Sequence, residues 1–213
     1  MKVCCCIVKR NESVSVRTLH ALLRLLNVSR RNNIQLQLEY VSDTCHDTNG
    51  LIKKLVKTCD RLMWIGYGVG MELVVMDMMM SQYPAGYHGL VVPTVLEGID
   101  WDMFVAKIKA GSEEPPNQIG MHFDTETTTT KISDYMYAVK STKPRLWSLD
   151  CKQFVKKMKG KKGEGLVVPK EDMFDAMIKN GVKVCAFVTP STTVTYTHEC
   201  TGSIMETIVK NKQ

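Results

Sequence analysis

Lys2-Val3-Cys4-Cys5-Cys6-Ile7-Val8-Lys9-Arg10-Asn11-Glu12 sets an apolar run against an abrupt polar stop. A strand that ends in a polar loop has this form. A second pattern follows at once. Val16, Leu19, Leu22, Leu23 and Leu26 recur at helical spacing and predict one face of a helix from about Val14 to Asn27. Ser13 or Ser15 can cap its start, and Ser29 to Asn33 reads as a polar link. Ile34, Leu36 and Leu38 then alternate with Gln35, Gln37 and Glu39, which predicts a strand from Ile34 to Val41 near a sheet edge. It too ends on polar residues, Asp43-Thr44. Open α/β sheets bind ligands beyond the carboxyl ends of their strands. Adjacent polar strand ends therefore predict a pocket for a charged ligand of nucleotide size.

The alternation continues. A helix from about Thr48 to Thr58, with Leu51, Ile52, Leu55 and Val56 inward, precedes a central strand from Arg61 to Tyr67. Met71 to Met80 is almost wholly apolar, and its length and methionines favour a helix. Gly89 to Val95 is β-rich, with Pro93 limiting its ladder bonds. Trp101 to Ala110 reads as a helix with Asp100 as cap. This β-α succession with short connections predicts an α/β three-layer fold. Its central sheet is expected to be mixed but mostly parallel, joined by right-handed crossovers and flanked by helices.

Past the loop from Ser112 to Asn117 the order breaks. Ile119 to Glu126 and Tyr135 to Lys140 read as antiparallel additions, with Thr127 to Thr130 as a turn or mobile rim. Leu146 to Leu149 is a further short strand, and a basic helix around Phe154 to Lys157 opens into a glycine-lysine loop. Leu166 to Val168, a helix from Asp172 to Lys179, a strand from Val182 to Val188, a β-prone run from Thr192 to Thr197 and a helix from Ser203 complete the pattern. No linker is long enough to force two domains, so residues 1–213 are expected to form one.

The 213 residues suffice for a core without staples, and 44% apolar with 23% charged residues is ordinary for a globule. The net charge of +6 is concentrated at Lys156, Lys157, Lys159, Lys161 and Lys162, a surface that favours anions without choosing among them. Arginine and aromatic residues do not interleave as on an RNA surface, so no nucleic-acid partner is expected. Eight cysteines contain no CxxC, and Cys4, Cys5 and Cys6 read as small apolar fillers. No secretory signal and no span of 18 apolar residues is evident, so a reducing, cytoplasmic setting without a membrane span is expected.

Several residues can carry chemistry. Asp43 can accept a ring N–H or ribose hydroxyl, or cap the next segment. Lys9, Arg10 and Asn11 can position a pyrophosphate or base, or form a solvated turn. Gly66-Tyr67-Gly68 can bring backbone close to a ligand. Asp124 and Glu126, two apart on an extended segment, point the same way and can hold a divalent ion or supply a base, or be two solvated acids. His198 can complete such a site from a distant loop. Trp147 can stack on a sugar or base while Asp150 accepts a hydroxyl, or Trp147 can be core and Asp150 a helix cap. Neither GxGxxG nor GxxxxGK[ST] is present.

With Val8 to Glu12 after the first strand, Asp43-Thr44 after the second and Arg61 to Val69 before a new crossover, the layout resembles the GT-A-like glycosyltransferases. The chain as a whole is similar to the N-terminal domain of the chlorovirus glycosyltransferases that act on major capsid protein glycans. That resemblance implies an inverting transferase taking a UDP-sugar, with L-rhamnose among the sugars, to a capsid glycan. It implies Mn²⁺ or Mg²⁺ and further enzyme domains C-terminal to this one, in the cytoplasm of an infected host cell. It makes residues 1–110 the nucleotide-binding half and 111–213 the acceptor and metal side. Lys9, Arg10, Asn11, Asp43, Gly66, Tyr67 and Gly68 would line the nucleotide, and Asp124 or Asp150 would be the base. The family's Asp-x-Asp position holds Gly66-Tyr67-Gly68, so Asp77, Asp124 and His198 are the expected metal ligands. The departure also leaves open a non-catalytic module that binds a sugar nucleotide or carbohydrate.

Overall fold

Lys2–Lys9 (β1) is buried along nearly its whole length, as an apolar run flanked by strands on both sides must be. In this computed structural model, which describes residues 1–43, 48–96, 98–114, 119–160, 166–168 and 172–188, β1 pairs in parallel with both Gln35–Ser42 (β2) and Arg61–Ile65 (β3). Helix α1 (Val16–Arg31) joins β1 to β2 and α2 (Thr48–Leu55) joins β2 to β3. Next come α3 (Leu73–Met80), β4 (Gly89–Val91), α4 (Trp101–Lys109), β5 (Thr125–Ser133), β6 (Met136–Thr142) and β7 (Leu146–Asp150). The described elements close with α5 (Cys151–Lys157), α6 (Met173–Lys179) and β8 (Val184–Phe187).

The strands form one sheet in the order β2-β1-β3-β7-β4-β8-β6-β5, with β2 at an edge as its alternation predicts. The sheet is mixed rather than mostly parallel. β7 runs antiparallel between β3 and β4, and the β5–β6 hairpin adds antiparallel pairings beside β8. Among the described residues only β1–β2, β1–β3 and β4–β8 are parallel. The central gap between β3 and β4 is thus filled by a strand from late in the chain.

Helices cover both faces. Val3, Cys5 and Ile7 pack toward α1 and α3, whereas Cys4 and Cys6 pack toward α2, α5 and α6. The alternation of three adjacent cysteines across a strand accounts for their burial as small apolar side chains. A satellite cluster of Val95, Phe104, Ile119 and Met121 seats α4. Gly120, at φ +77°, allows it, because a Cβ there would lie 2.8 Å from the Phe104 Cβ.

Other expectations change too. Helix α1 buries Thr18, Ala21, Leu22, Leu25, Val28 and Ser29, leaving Val16, Leu19 and Leu23 exposed. Both buried hydroxyls find carbonyls: Thr18 donates to Val69 O at 3.1 Å and Ser29 to Leu25 O at 2.7 Å. The helix also runs through the predicted polar link to Arg31, with Ser15 as its N-cap. Thr127 to Thr130 are interior to β5 rather than a turn, in keeping with the β preference of β-branched side chains. Of Ile119 to Glu126, only Thr125 and Glu126 belong to a strand, and Leu166 makes only an isolated bridge with Lys159. The run from Thr192 to Thr197 and the helix from Ser203 lie outside the described residues. Among the described residues no helix is long and apolar enough to cross a membrane.

Candidate functional site

The carboxyl ends of β1, β2 and β3 meet at one edge of the sheet. Past β1, Arg10 and Ser13 exchange backbone hydrogen bonds, Arg10 N–H to Ser13 O at 3.0 Å and Ser13 N–H to Arg10 O at 2.8 Å. The two residues between them, Asn11 (φ 47°) and Glu12 (φ 60°), are both left-handed. That combination is a type I′ turn. Asparagine tolerates it, but Glu12 is held there at a cost of about 1 kcal/mol. Lys9 and Glu12 form an ion pair across the turn.

The turn aims Arg10 at the end of the neighbouring strand. Its Nε donates to Asp43 Oδ2 at 2.6 Å, and the Asp43 N–H donates to Lys9 O at 3.1 Å. The guanidinium also lies 5.0 Å from the centre of the Tyr67 ring, in the turn after β3. Gly66 holds that turn against β7 by donating its N–H to Arg145 O at 2.7 Å, and Gly68 takes φ +77° with open space where a Cβ would be. The edge therefore brings together Lys9, Arg10, Asn11, Asp43, Gly66, Tyr67 and Gly68. It offers a cation, a carboxylate and a ring.

Trp64, near the carboxyl end of β3, lines an aromatic pocket of ≈ 500 Å³. Trp64 of β3 and Trp147 of β7 stack with centroids 5.7 Å apart and planes within 2°. They are directly opposite in the β3–β7 register, and Phe174 of α6 meets Trp147 edge-on at 5.5 Å. Thr48 and Asn49 at the start of α2 supply polar groups to the wall. Across the rim Lys143 reaches Asp172 at 2.8 Å. Trp147 lines the pocket, but only 4% of its surface is exposed and it packs in the core between Trp64 and Phe174.

A second cavity of ≈ 320 Å³ shares Thr142 and Lys143 with the first and is lined by Asp124, Glu126 and Asp175. Asp124 is buried and fully used. It accepts from the Thr94 N–H at 3.1 Å, the Thr94 hydroxyl, the Thr125 hydroxyl at 2.8 Å and the Arg145 N–H at 3.1 Å. A carboxylate has about four lone-pair directions, and these donors occupy them. Glu126, on the same cavity, pairs with Lys140 at 3.1 Å.

The other sequence-predicted residues lie elsewhere. Asp150 pairs with Arg61, the first residue of β3, and so sits at the opposite, amino edge of the sheet. There it caps α5 by accepting from the Gln153 N–H at 2.8 Å. Asp77 is on the exposed side of α3, whose last turn reaches that same amino edge, where Met79 O accepts from Arg61. His198 lies outside the described residues. His122 meets the Asp100 carboxylate at 3.2 Å, beside α4. That contact, after the Met103 N–H bond to the same group, holds the Asp100 carboxyl below the usual range. Among the described residues, no three His, Cys, Asp or Glu side chains gather as cation ligands. Trp64, Asn49, Lys143 and Phe174 join the site without having been singled out in the sequence. Trp64 has a signal only once β3 is known to pair with β7.

No family model matches the sequence, and a comparison with curated proteins gives no match. Among solved structures, the fold is similar to the crystal structure of A197 from STIV, with 12% identity, a TM-score of 0.48 and coverage of 88% of this chain and 82% of that one. It is also similar to 4-diphosphocytidyl-2C-methyl-D-erythritol synthase from Anaerococcus prevotii DSM 20548, with 12% identity, a TM-score of 0.40 and coverage of 98% of each chain. Both likenesses are distant.

Proposed function

We propose that the chain is a binding module for a sugar nucleotide, held without turnover at the carboxyl edge of the sheet. The observation that supports this reading is that Trp64 of the aromatic pocket and Tyr67 of the Arg10–Asp43–Tyr67 cluster both stand at the carboxyl end of β3. Lys9 and Arg10 suit a diphosphate, Asp43 suits a ring N–H or ribose hydroxyl, and an indole face suits the apolar face of a sugar. Asp124 already accepts from four donors and Asp150 caps a helix at the far edge, so neither is free to take a proton from an acceptor hydroxyl.

Calorimetric titration with UDP, UDP-glucose, UDP-L-rhamnose and the free sugars tests this reading. One molecule of UDP-sugar should bind per chain, and Arg10→Ala should weaken it about tenfold, on the order of 1.4 kcal/mol. Absence of binding by every nucleotide and sugar would remove the proposal.

A second reading draws on the acid-lined cavity that adjoins the aromatic pocket. In it the chain is an inverting transferase that moves a sugar such as L-rhamnose from UDP to a glycan on a viral capsid protein. A carboxylate takes the acceptor proton as the oxygen attacks the anomeric carbon and UDP leaves. Mn²⁺ or Mg²⁺ would neutralise the diphosphate in such a reaction, but Asp77 and Asp124 do not converge on a common point. Release of UDP from a UDP-sugar, with and without Mn²⁺, separates this reading from the first.

A further inference from the structure

Cys59 and Cys151 lie at the amino edge of the sheet, away from the ligand cleft. Cys59 lies two residues before β3 and Cys151 directly follows β7 as the first residue of α5, so both stand just beyond the end of the β3–β7 ladder, where Arg61 is opposite Asp150. The Cys151 N–H donates to Asp60 O at 3.0 Å, which fixes the two backbones together. Their sulfurs are 3.5 Å apart and share a hydrogen bond. Cys151 is fully buried, whereas Cys59 is only half-buried. A small oxidant therefore reaches one sulfur of the pair and not the other.

The surroundings make the two thiols unequal. The hydrogen bond from Cys151 lowers the Cys59 pKa against the opposing effect of burial, and Lys2 lowers it further while Asp60 opposes. The same bond, together with burial, raises the Cys151 pKa. Burial alone pushes the Cys185 thiol up to about 12. Thiolate character and access coincide at Cys59, and they decide which sulfur reacts.

We propose that Cys59 and Cys151 are a redox modification site that closes into a reversible disulfide on meeting a peroxide-class oxidant. The Cys59 thiolate attacks one oxygen of hydrogen peroxide, the O–O bond breaks, and hydroxide leaves. Cys59 is then a sulfenic acid, and the hydroxide takes up the proton that the Cys59 thiol had released. The Cys151 sulfur attacks the Cys59 sulfur, the S–O bond breaks, and the oxygen departs as water with the Cys151 proton. Two thiols and one peroxide give one disulfide and two waters. The sulfurs close from 3.5 Å to about 2.0 Å by side-chain rotation, because the Cys151 N–H bond to Asp60 O already ties the two segments together. The bridge ties the start of β3 to the start of α5.

The full chain is treated with hydrogen peroxide, alkylated, digested and mapped by mass spectrometry. The expected product is a cross-link between the Cys59 and Cys151 peptides, lighter by two hydrogens and restored by dithiothreitol. Its thermal midpoint should rise on oxidation and fall back on reduction. Cys59→Ser, at the half-exposed position, should lose the cross-link and the thermal shift while remaining folded. In Cys151→Ala, oxidation should stop at a Cys59 sulfenic acid that dimedone captures. If the Ala variant does not fold, the unsubstituted protein and Cys59→Ser decide the matter by themselves. A bridge between another pair, or Cys59 advancing to sulfinic acid with Cys151 untouched, overturns the assignment.

Discussion

Thr94 occupies both oxygens of Asp124, its N–H donating to Oδ1 at 3.1 Å and its hydroxyl to Oδ2. With the Thr125 hydroxyl and the Arg145 N–H on the same carboxylate, one buried side chain ties together the ends of β4, β5 and β7. Asp124→Ala should therefore lower stability by about 3 kcal/mol, because several buried donors lose their acceptor. Urea denaturation measures the loss. A variant within about 0.5 kcal/mol of the parent would mean that water or a neighbour replaces the carboxylate.

The stacked tryptophans give the pocket an optical reporter. A ligand seated against Trp64 should quench its emission. The chain has 3 tryptophans, and Trp101, exposed on α4, does not line the pocket. Trp101→Phe should keep the quench and Trp64→Phe should remove most of it. A quench that follows Trp101 instead would place the ligand elsewhere.

Asp100 carries a pH signature. The Met103 N–H and then His122 lower its pKa in the folded chain. A depressed carboxyl pKa adds stability that is present above the unfolded value of about 3.9 and is lost as pH falls through the folded one. Asp100→Asn keeps the cap but removes the charge. Its stability deficit at pH 7 should therefore shrink below about pH 4. Urea midpoints across that range check this, and a deficit that stays constant would contradict it.

Arg61 is a buried cation that makes no ion pair with a carboxylate among the described residues. It donates to Met79 O at 2.6 Å and lies 4.3 Å from the centre of the Tyr83 ring, whose hydroxyl meets Ser148 at 2.9 Å. Truncation to alanine should cost roughly 2–4 kcal/mol, from the cation–ring contact and the charge-assisted bond together. Tyr83→Leu should cost less, since the carbonyl contact remains. Thermal or urea unfolding ranks the two, and the reverse order would show that the ring is the stronger partner.

Much of the left half of the sheet was legible because its determinants are local. The apolar run of β1, the alternation of β2 and the caps Ser15 and Asp100 each follow from a few adjacent residues. Parallel pairing of β1 with β2 then carries Lys9 opposite Ser42, so the meeting of Arg10 with Asp43 needs little more than the two strand ends. The right half depends on distant pairing. Nothing near Leu146 announces that its strand inserts antiparallel between β3 and β4, and with that insertion come the stacking of Trp64 on Trp147 and the binding of Asp124 by Arg145. Helix α1 buries Thr18 and Ser29 instead of the wholly apolar face expected, and the carbonyls of Val69 and Leu25 satisfy their hydroxyls.

The position of β7 also governs when the molecule can be completed. Until its residues leave the ribosome, β3 and β4 each present an open edge at what will become the centre of the sheet. Such late closure favours slow, non-local folding and exposes nascent edges to wrong partners. A fragment of residues 1–110 would be stranded at that stage, with two sticky borders and no strand to join them.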